Sequence, residues 1–260
     1  MPSSKQRKTS TKELVAHRLP DPTEISDGAF AKSRLTRTRI MEAAVECLAA
    51  NGYASLSTTS VAERAGLTRA AMLYHFPSRS ALIEAVVNYV TRKRVEMYGE
   101  AMARIAHDAQ YFEQAIDIAW AQLQTPEFLA FAELTSAART DPDLSVTVSP
   151  ALAEFDRARR VMALELFPPE HVGRPWFDLR RDIARFLLEG LALHGGLSFD
   201  AERRKEEMIG FLKALSIKPE SATVLEKAKT YATRGRRGSA LAGRRPALAR
   251  ADFDDQSPRG

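Results

Sequence analysis

The stretch that decides the fold runs from Ser57 to Arg79 and reads STTSVAERAGLTRAAMLYHFPSR. Its residues predict two short helices, over 58–65 and 69–75, because apolar and small residues recur there at helical spacing. Gly66 ends the first helix and gives the chain a tight turn. Pro77 ends the second helix, since proline cannot continue one. Two short helices joined in this way are the outline of a helix-turn-helix.

The outer face of the second helix suits an approach to DNA. Met72 and Phe76 stand four residues apart and can pack inward, which leaves Arg69 and its small neighbours facing out. An arginine can fork onto the O6 and N7 atoms of a guanine in the major groove. Capping hydroxyls and polar residues at the helix ends can contact phosphate. The candidate DNA-binding residues are Ser57, Thr58, Thr59, Thr68, Arg69, Ala70, Ala71, Tyr74, His75 and Arg79.

Two alternatives fit the same residues at this point. A helical hairpin without a DNA partner has the same shape as a helix-turn-helix. Tyr74 can belong mainly to the core, and an isolated His75 is more often a packed or surface histidine.

The charge of the chain is distributed unevenly along its length. Residues 1–94 hold 15 Lys and Arg against 8 Asp and Glu, whereas residues 95–215 hold 13 against 20 and residues 216–260 hold 10 against 5. A basic first part beside an acidic middle indicates a module that binds a polyanion, although uneven solvated faces give the same asymmetry. Cys47 is the only cysteine, so no intramolecular disulfide can form. We expect a cytoplasmic protein without a membrane span, because no apolar run approaches ~20 residues.

The rest of the chain predicts helices and breaks, with no alternating strand pattern. Residues 1–31 are polar and basic, and residues 216–260 are rich in Arg, Ala, Gly and Ser, so we expect both to be disordered. A long helix begins after Ser78 and runs towards Ile105. The other predicted helices cover 33–50, 111–124, 126–139, 143–166, 175–194 and 201–215.

Residues 33–94 resemble the DNA-binding domain of the TetR family of bacterial transcription regulators. The resemblance rests on RIMEAAVECLAANGYASLST followed by SVAERAGLTRAAMLYHFPSRSALIEAVV, in which the Asn-Gly-Tyr, Ala-Glu-Arg-Ala-Gly and Tyr-His-Phe segments have the family's order and spacing. Many members have two aromatic residues before the histidine, whereas Leu73 holds the first of these positions here. A phosphate contact that a tyrosine hydroxyl often makes is therefore absent.

This resemblance implies an all-α fold with three N-terminal helices, a long connecting fourth helix and a C-terminal bundle for ligand binding and dimerisation. It places the DNA-binding domain at 32–94, with the helix-turn-helix at 57–76, and the regulatory domain at 95–215. It implies a homodimer that binds a palindromic double-stranded DNA operator, usually as a repressor, and releases it on binding a small-molecule effector. No cofactor or metal is expected.

The second half of the chain offers residues for both regulatory roles. Apolar residues at helical spacing can line an effector pocket, although such residues are more often core. The pocket candidates are Phe112, Ile116, Trp120, Phe128, Phe131 and Phe155, with His194 as a polar anchor. The last two helices can pair with a second subunit, or they can serve only the core of their own chain. The dimer candidates are Phe186, Leu187, Gly190, Leu191, Met208, Phe211 and Leu212.

Two other classes of protein compete with a regulator. A helical-bundle enzyme is disfavoured because the sequence has no Gly-rich phosphate loop, HExxH, GxSxG or CxxC motif. Its five histidines also show no metal-ligand spacing. A protein-binding helical adaptor with a vestigial DNA domain stays open, and a substitution of Arg69 separates it from a regulator.

Overall fold

A computed structural model of the chain describes residues 20–24, 31–105, 110–167, 172, 177–197 and 199–217. Within these ranges the chain is helical and has no strand, which confirms the predicted all-α class. Short 3₁₀ turns occur at Tyr53–Ser55 and Gly195–Leu197. The helices are α1 Ala31–Asn51, α2 Thr58–Arg64, α3 Arg69–His75, α4 Arg79–Met102, α5 Tyr111–Gln122, α6 Pro126–Ala138, α7 Pro142–Leu166, α8 Phe177–His194 and α9 Ala201–Ile217.

Local capping explains where the N-terminal helices begin and end. The Ser57 hydroxyl accepts from the Ser60 amide at 3.0 Å, and the Ser60 hydroxyl accepts from the Ser57 amide at 3.0 Å. Thr68 and Ser78 cap α3 and α4 through the same type of hydrogen bond. Gly66 adopts a φ of 63°, a left-handed conformation that side chains with a Cβ rarely adopt. These local bonds fix the starts of α2, α3 and α4.

One apolar core joins the helix-turn-helix to the second half of the chain. Ile40 of α1, Met72 of α3 and Val90 of α4 are fully buried in it. Leu134 of α6 and Phe155 of α7 belong to the same cluster. The helices meet because α4 packs on α6 and α7 while α1 packs on α6. The DNA-binding helices therefore share a core with the helices that follow them.

The predicted domains can be compared with the structure at the 94/95 boundary, in the N-terminal arm and in the C-terminal tail. The boundary between residues 94 and 95 falls inside α4, and the described residues up to Ser216 form one compact unit, so this boundary stays a prediction about function. Most of the predicted N-terminal arm and of the tail at 216–260 lies outside the described residues. Residues 20–24 are described, and Thr23 is buried there while the Pro22 carbonyl accepts from Arg37 at 2.7 Å.

Candidate DNA interface

Helix α3 presents a free polar face next to a buried apolar one. Met72 is fully buried and Phe76 is 2% exposed, which anchors the helix to the core. Thr68, Arg69 and Ala70 are exposed on the other face. The Arg69 guanidinium makes no hydrogen bond or ion pair with any residue that the structure describes, so its donors are free for a ligand.

The end of α3 adds two further groups. Tyr74 is 83% exposed, so the alternative that it belongs to the core is wrong. Its ring meets the His75 ring edge-on at 5.1 Å. Burial and the nearby Arg37 cation both lower the pKa of His75 below its usual value. The imidazole is therefore mostly neutral at neutral pH, and a phosphate beside it would favour its protonated form.

Two arginines of α1 fix the ends of the helix-turn-helix. Arg39 donates to the carbonyl of Ala65 at 2.5 Å, at the turn where α2 ends. Arg37 donates to the carbonyl of His75 at 3.4 Å, and its guanidinium lies 4.5 Å from the centre of the Phe76 ring. Both cations satisfy carbonyls that a helix terminus leaves without an intrahelical partner. They hold α2 and α3 in place rather than presenting charge to a ligand.

Arg79 is engaged in the same way at the start of α2. Its Nε donates to the Leu56 carbonyl at 2.8 Å, and its Nη2 donates to the Tyr53 carbonyl at 3.2 Å. Its guanidinium also lies 4.8 Å from the centre of the Tyr53 ring. The sequence predicts a phosphate contact for Arg79, yet its side chain already binds the segment that leads into the Ser57 cap.

Tyr53 connects this segment to the second half of the chain. Its hydroxyl donates to a carboxylate oxygen of Asp141 at 3.0 Å, just before α7 begins. Its amide donates to Glu133 of α6 at 3.4 Å. The Leu144 amide, followed by the Tyr53 hydroxyl, keeps the pKa of Asp141 below its usual value. The turn before α2 is thus attached to both α6 and α7.

Comparison with known proteins identifies the group to which this architecture belongs. The sequence model of the family described as "Bacterial regulatory proteins, tetR family" matches residues 40–86, which cover most of α1, all of α2 and α3, and the start of α4. This match on the helix-turn-helix region supports a TetR-family regulator. The chain is 28% identical over 140 residues to an uncharacterised HTH-type transcriptional regulator of Mycobacterium tuberculosis. That alignment covers 52% of this chain and 72% of the relative.

Solved structures show the same fold. A TetR-family transcriptional regulator from Rhodococcus sp. superposes with a TM-score of 0.53 at 19% identity, over 70% of this chain and 99% of that one. A TetR-family member from Streptomyces coelicolor gives a TM-score of 0.50 at 21% identity, over 69% and 97% of the two chains. The family match and the relatives show a DNA-binding transcription regulator. The solved structures show its fold, an N-terminal helix-turn-helix followed by a helical C-terminal part.

The helices show no sign of a membrane span. Among the residues that the structure describes, none of them combines the length and the apolarity that crossing a bilayer requires.

Two adjoining cavities lie between α4, α5, α7 and α8, each about 40 Å³ in volume. Of the predicted pocket residues, Phe155 lines the first cavity, and Phe112 and Ile116 line the second. The remaining candidates have other surroundings. Trp120 packs against the apolar cluster that contains Phe128, Phe131 belongs to the main core, and His194 is exposed at the end of α8.

The cavity walls also hold charged residues that the sequence did not single out. These are Arg94 on α4, Arg159 on α7, and Arg185 and Glu189 on α8. Arg159 stands four residues after buried Phe155, at the spacing of one helix face. A charge at an apolar position of a helical pattern is the signal that can find such residues.

The predicted dimer residues divide between the surface and the core. Phe186, Phe211 and Met208 are 65%, 60% and 43% exposed, and Gly190 has open space around its Cα. Leu187 and Leu191 are half-buried. Leu212 is a correction, because it is only 4% exposed and lies in the core of its own chain beside Leu188.

Proposed function

We propose that this regulator binds a palindromic DNA operator as a homodimer and represses transcription. A small-molecule effector releases it from the operator. The main support for DNA binding is the exposed face of α3, where Arg69 has no partner among the described residues. We assign base readout to Thr68, Arg69, Ala70 and Ala71, and phosphate contact to Tyr74, His75 and the start of α2 at Ser57, Thr58 and Thr59.

For Arg79 we propose a positioning role in place of a phosphate contact. Its hydrogen bonds to the Leu56 and Tyr53 carbonyls hold the segment that precedes the Ser57 cap. A displaced cap would move the start of α2, and with it every phosphate contact made there. Loss of Arg79 would then weaken binding to all DNA sequences alike.

The homodimer rests on the apolar side chains that α8 and α9 leave exposed. Leu179, Ile183, Phe186 and Leu193 of α8 are each at least 37% exposed. Phe211 of α9 is 60% exposed. Exposed apolar patches of this kind mark interaction sites in soluble proteins. Two helices from each subunit would form a four-helix bundle and bury both patches.

A dimer also explains how a short α3 can bind with useful affinity. One recognition helix contacts only a few base pairs, whereas two helices related by a two-fold axis read two half-sites about 34–36 Å apart. Linking the two binding events raises the overall affinity without any new type of contact. An operator occupied in this way is blocked for other proteins, so repression is the simplest outcome.

Helix α4 is the element that can report effector binding to the DNA-binding helices. It carries Arg79 at its first turn and Arg94 in the cavity wall, 15 positions further along, which corresponds to about 22 Å of helix. Pockets that bind drug-sized ligands have volumes of roughly 300–1,000 Å³. The present cavities of about 40 Å³ must therefore widen, and widening would move α4. An effector that binds the widened form better weakens DNA binding by its difference in affinity.

Selection of bound duplexes from a random pool tests the DNA part of this proposal. We expect an inverted repeat whose half-sites are separated by about one helical turn. Light scattering with size-exclusion chromatography should give twice the mass of the chain. A non-palindromic consensus together with a monomeric mass would refute the homodimer.

We also propose that the protein acts in the cytoplasm and has no enzymatic activity, because its relatives are transcription regulators. Affinity for random DNA separates this from the bundle-enzyme and adaptor alternatives. A regulator that contacts several phosphates loses affinity steeply as salt rises. An enzyme or adaptor without a DNA partner would show no such dependence.

A further inference from the structure

The cavities between α4, α7 and α8 carry an unbalanced positive charge. We call Arg94, Arg159 and Arg185 the arginine cluster, since all three line the first cavity. Glu189 is the one acidic residue in that wall. Its carboxylate lies 3.1 Å from Arg185 and 3.6 Å from Arg94. Arg185 also pairs with Asp156, which lies outside that wall, so two carboxylates face three guanidinium groups.

Arg94 is a nearly buried member of the cluster. Its side chain is 10% exposed, and its Nη1 is buried without a hydrogen-bond partner among the described residues. Its guanidinium lies 4.1 Å from the centre of the Phe131 ring and 4.7 Å from that of Phe155. Aromatic faces attract a cation but do not accept its N–H groups as an oxygen does. An anionic oxygen in the cavity would satisfy the donor that the protein leaves unpaired.

Arg159 lies at the centre of the cavity system. It lines both small cavities and also an open groove of about 240 Å³. Its guanidinium forms no ion pair with any described residue and lies 5.5 Å from the ring centres of Tyr98 and Phe155. Burial lowers the pKa of Arg159 below its usual value, and the positive charges of Arg185 and Arg181 act in the same direction. Arg159 is thus a cation placed beside other cations, where a negative ligand would be attracted.

Apart from Tyr98, Gln122 and Arg181, the rest of the cavity wall is apolar. Phe112, Ile116 and Ala184 line the second cavity, and Leu188 lines both. A bare inorganic ion would leave this surface without contacts. An organic anion would place its charged group among the guanidiniums and its hydrocarbon part against these side chains.

We propose that the arginine cluster recognises the carboxylate of a small organic acid with an apolar body. A carboxylate matches the planar fork of a guanidinium with two parallel hydrogen bonds. The inference rests on the proposed effector-controlled function and names the chemical class of the effector. It also places the recognising cation Arg94 on α4, the helix that begins at the DNA-binding domain.

Isothermal titration of the full-length protein with matched ligand pairs tests the proposal. The probes are benzoate and octanoate, each against its uncharged amide, benzamide or octanamide. We expect at least one acid to bind about tenfold or more tightly than its amide, because charge-assisted hydrogen bonds are lost with the charge. Inorganic phosphate, which lacks the apolar part, should bind more weakly than either acid.

Variants show whether the cluster is responsible. Arg159→Met should remove the preference for the acid over its amide, and Arg159→Lys should keep part of it because the charge remains. Arg157→Met is the matched control, since Arg157 lies on the same helix but is 61% exposed and paired with Glu154. This control should bind the acid as the unchanged protein does. Thermal unfolding of each variant checks that it is folded.

Three outcomes would overturn the proposal: equal binding of acid and amide, no binding of either acid at millimolar concentration, or an unchanged preference in folded Arg159→Met. Binding of random DNA by the same preparations distinguishes a failure of the organic-acid proposal from a failure of the proposed regulator function. If DNA binding is salt-dependent while neither acid binds, only the proposed recognition of an organic acid is refuted. If DNA is not bound at all, the regulator itself is refuted, whatever the acids do.

Discussion

Replacing Arg79 with methionine tests how the start of α2 is held. The side chain donates two hydrogen bonds to backbone carbonyls, at 2.8 Å to Leu56 and 3.2 Å to Tyr53. Hydrogen bonds from charged donors contribute about 1.5–3 kcal/mol each when sheltered. Arg79 is exposed, so water replaces much of this, and we expect a net loss of about 1–2 kcal/mol from the free energy of unfolding. For a chain of this size, that corresponds to a melting temperature lower by roughly 2–8 °C.

Two measurements on Arg79→Met separate positioning from direct contact. Far-ultraviolet circular dichroism gives the melting temperature, and fluorescence anisotropy of labelled random DNA gives the affinity across a salt series. A positioning residue lowers the melting temperature and the affinity, while the slope of log affinity against log salt stays the same. A residue that neutralises a phosphate reduces that slope by about one. Arg64→Met is the matched control, since Arg64 is exposed and pairs with Glu46.

An unchanged melting temperature together with a slope smaller by about one would refute the reasoning. Arg79 would then contact phosphate, as the sequence alone predicts, and its bonds to Leu56 and Tyr53 would be unimportant for the fold. A melting temperature lowered equally in Arg64→Met would also count against it. In that case any loss of charge near the helix-turn-helix, rather than the loss of these two bonds, would be responsible.

Three further predictions concern the dimer, the pH dependence and the buried charges. Phe211→Asp should convert the dimer to a monomer in light scattering, whereas Leu212→Ala should lower the melting temperature and leave the mass unchanged; the reverse pattern would contradict the assignment. Because the pKa of His75 is lowered in the free protein and a phosphate would raise it, DNA affinity should rise as pH falls from about 8 to about 6. His75→Gln should flatten this dependence, and an equally steep profile in that variant would exclude His75. Burial lowers the pKa of Arg94 to about 9, so Arg94→Met should not lower the melting temperature. Glu189→Gln should lower it, because Arg94 then loses its carboxylate partner while Arg185 keeps Asp156. Thermal unfolding checks both, and a lower melting temperature for Arg94→Met would contradict the account.

The helix boundaries of the N-terminal half were predictable because their causes are local. Ser57 and Thr68 cap the helices that follow them, and Gly66 and Pro77 interrupt the helical pattern within a few residues. The inward packing of Met72 also follows from spacing alone. Such features depend on the nearest neighbours in the sequence, so they can be predicted without knowledge of the tertiary structure.

The roles of individual side chains in the second half were less predictable. Phe211 and Leu212 are adjacent and both apolar, yet one is 60% exposed and the other 4%, because only the packing of α9 on its own chain decides which is buried. An arginine in a helix usually lies on a solvated face, so an apolar position in the helical pattern is only a weak signal that Arg94 and Arg159 line a cavity. Their convergence on one cavity depends on how α4 and α7 cross.

The most direct test of the central claim is the affinity of the protein for single-base variants of its selected operator, with and without Arg69. The account predicts that Arg69→Ala loses about 1–3 kcal/mol of discrimination at one base pair in each half-site, with other positions little changed. Its melting temperature should be unchanged, because Arg69 has no partner among the described residues. A loss of affinity spread evenly over all sequences, or none at all, would contradict the claim that α3 reads the operator.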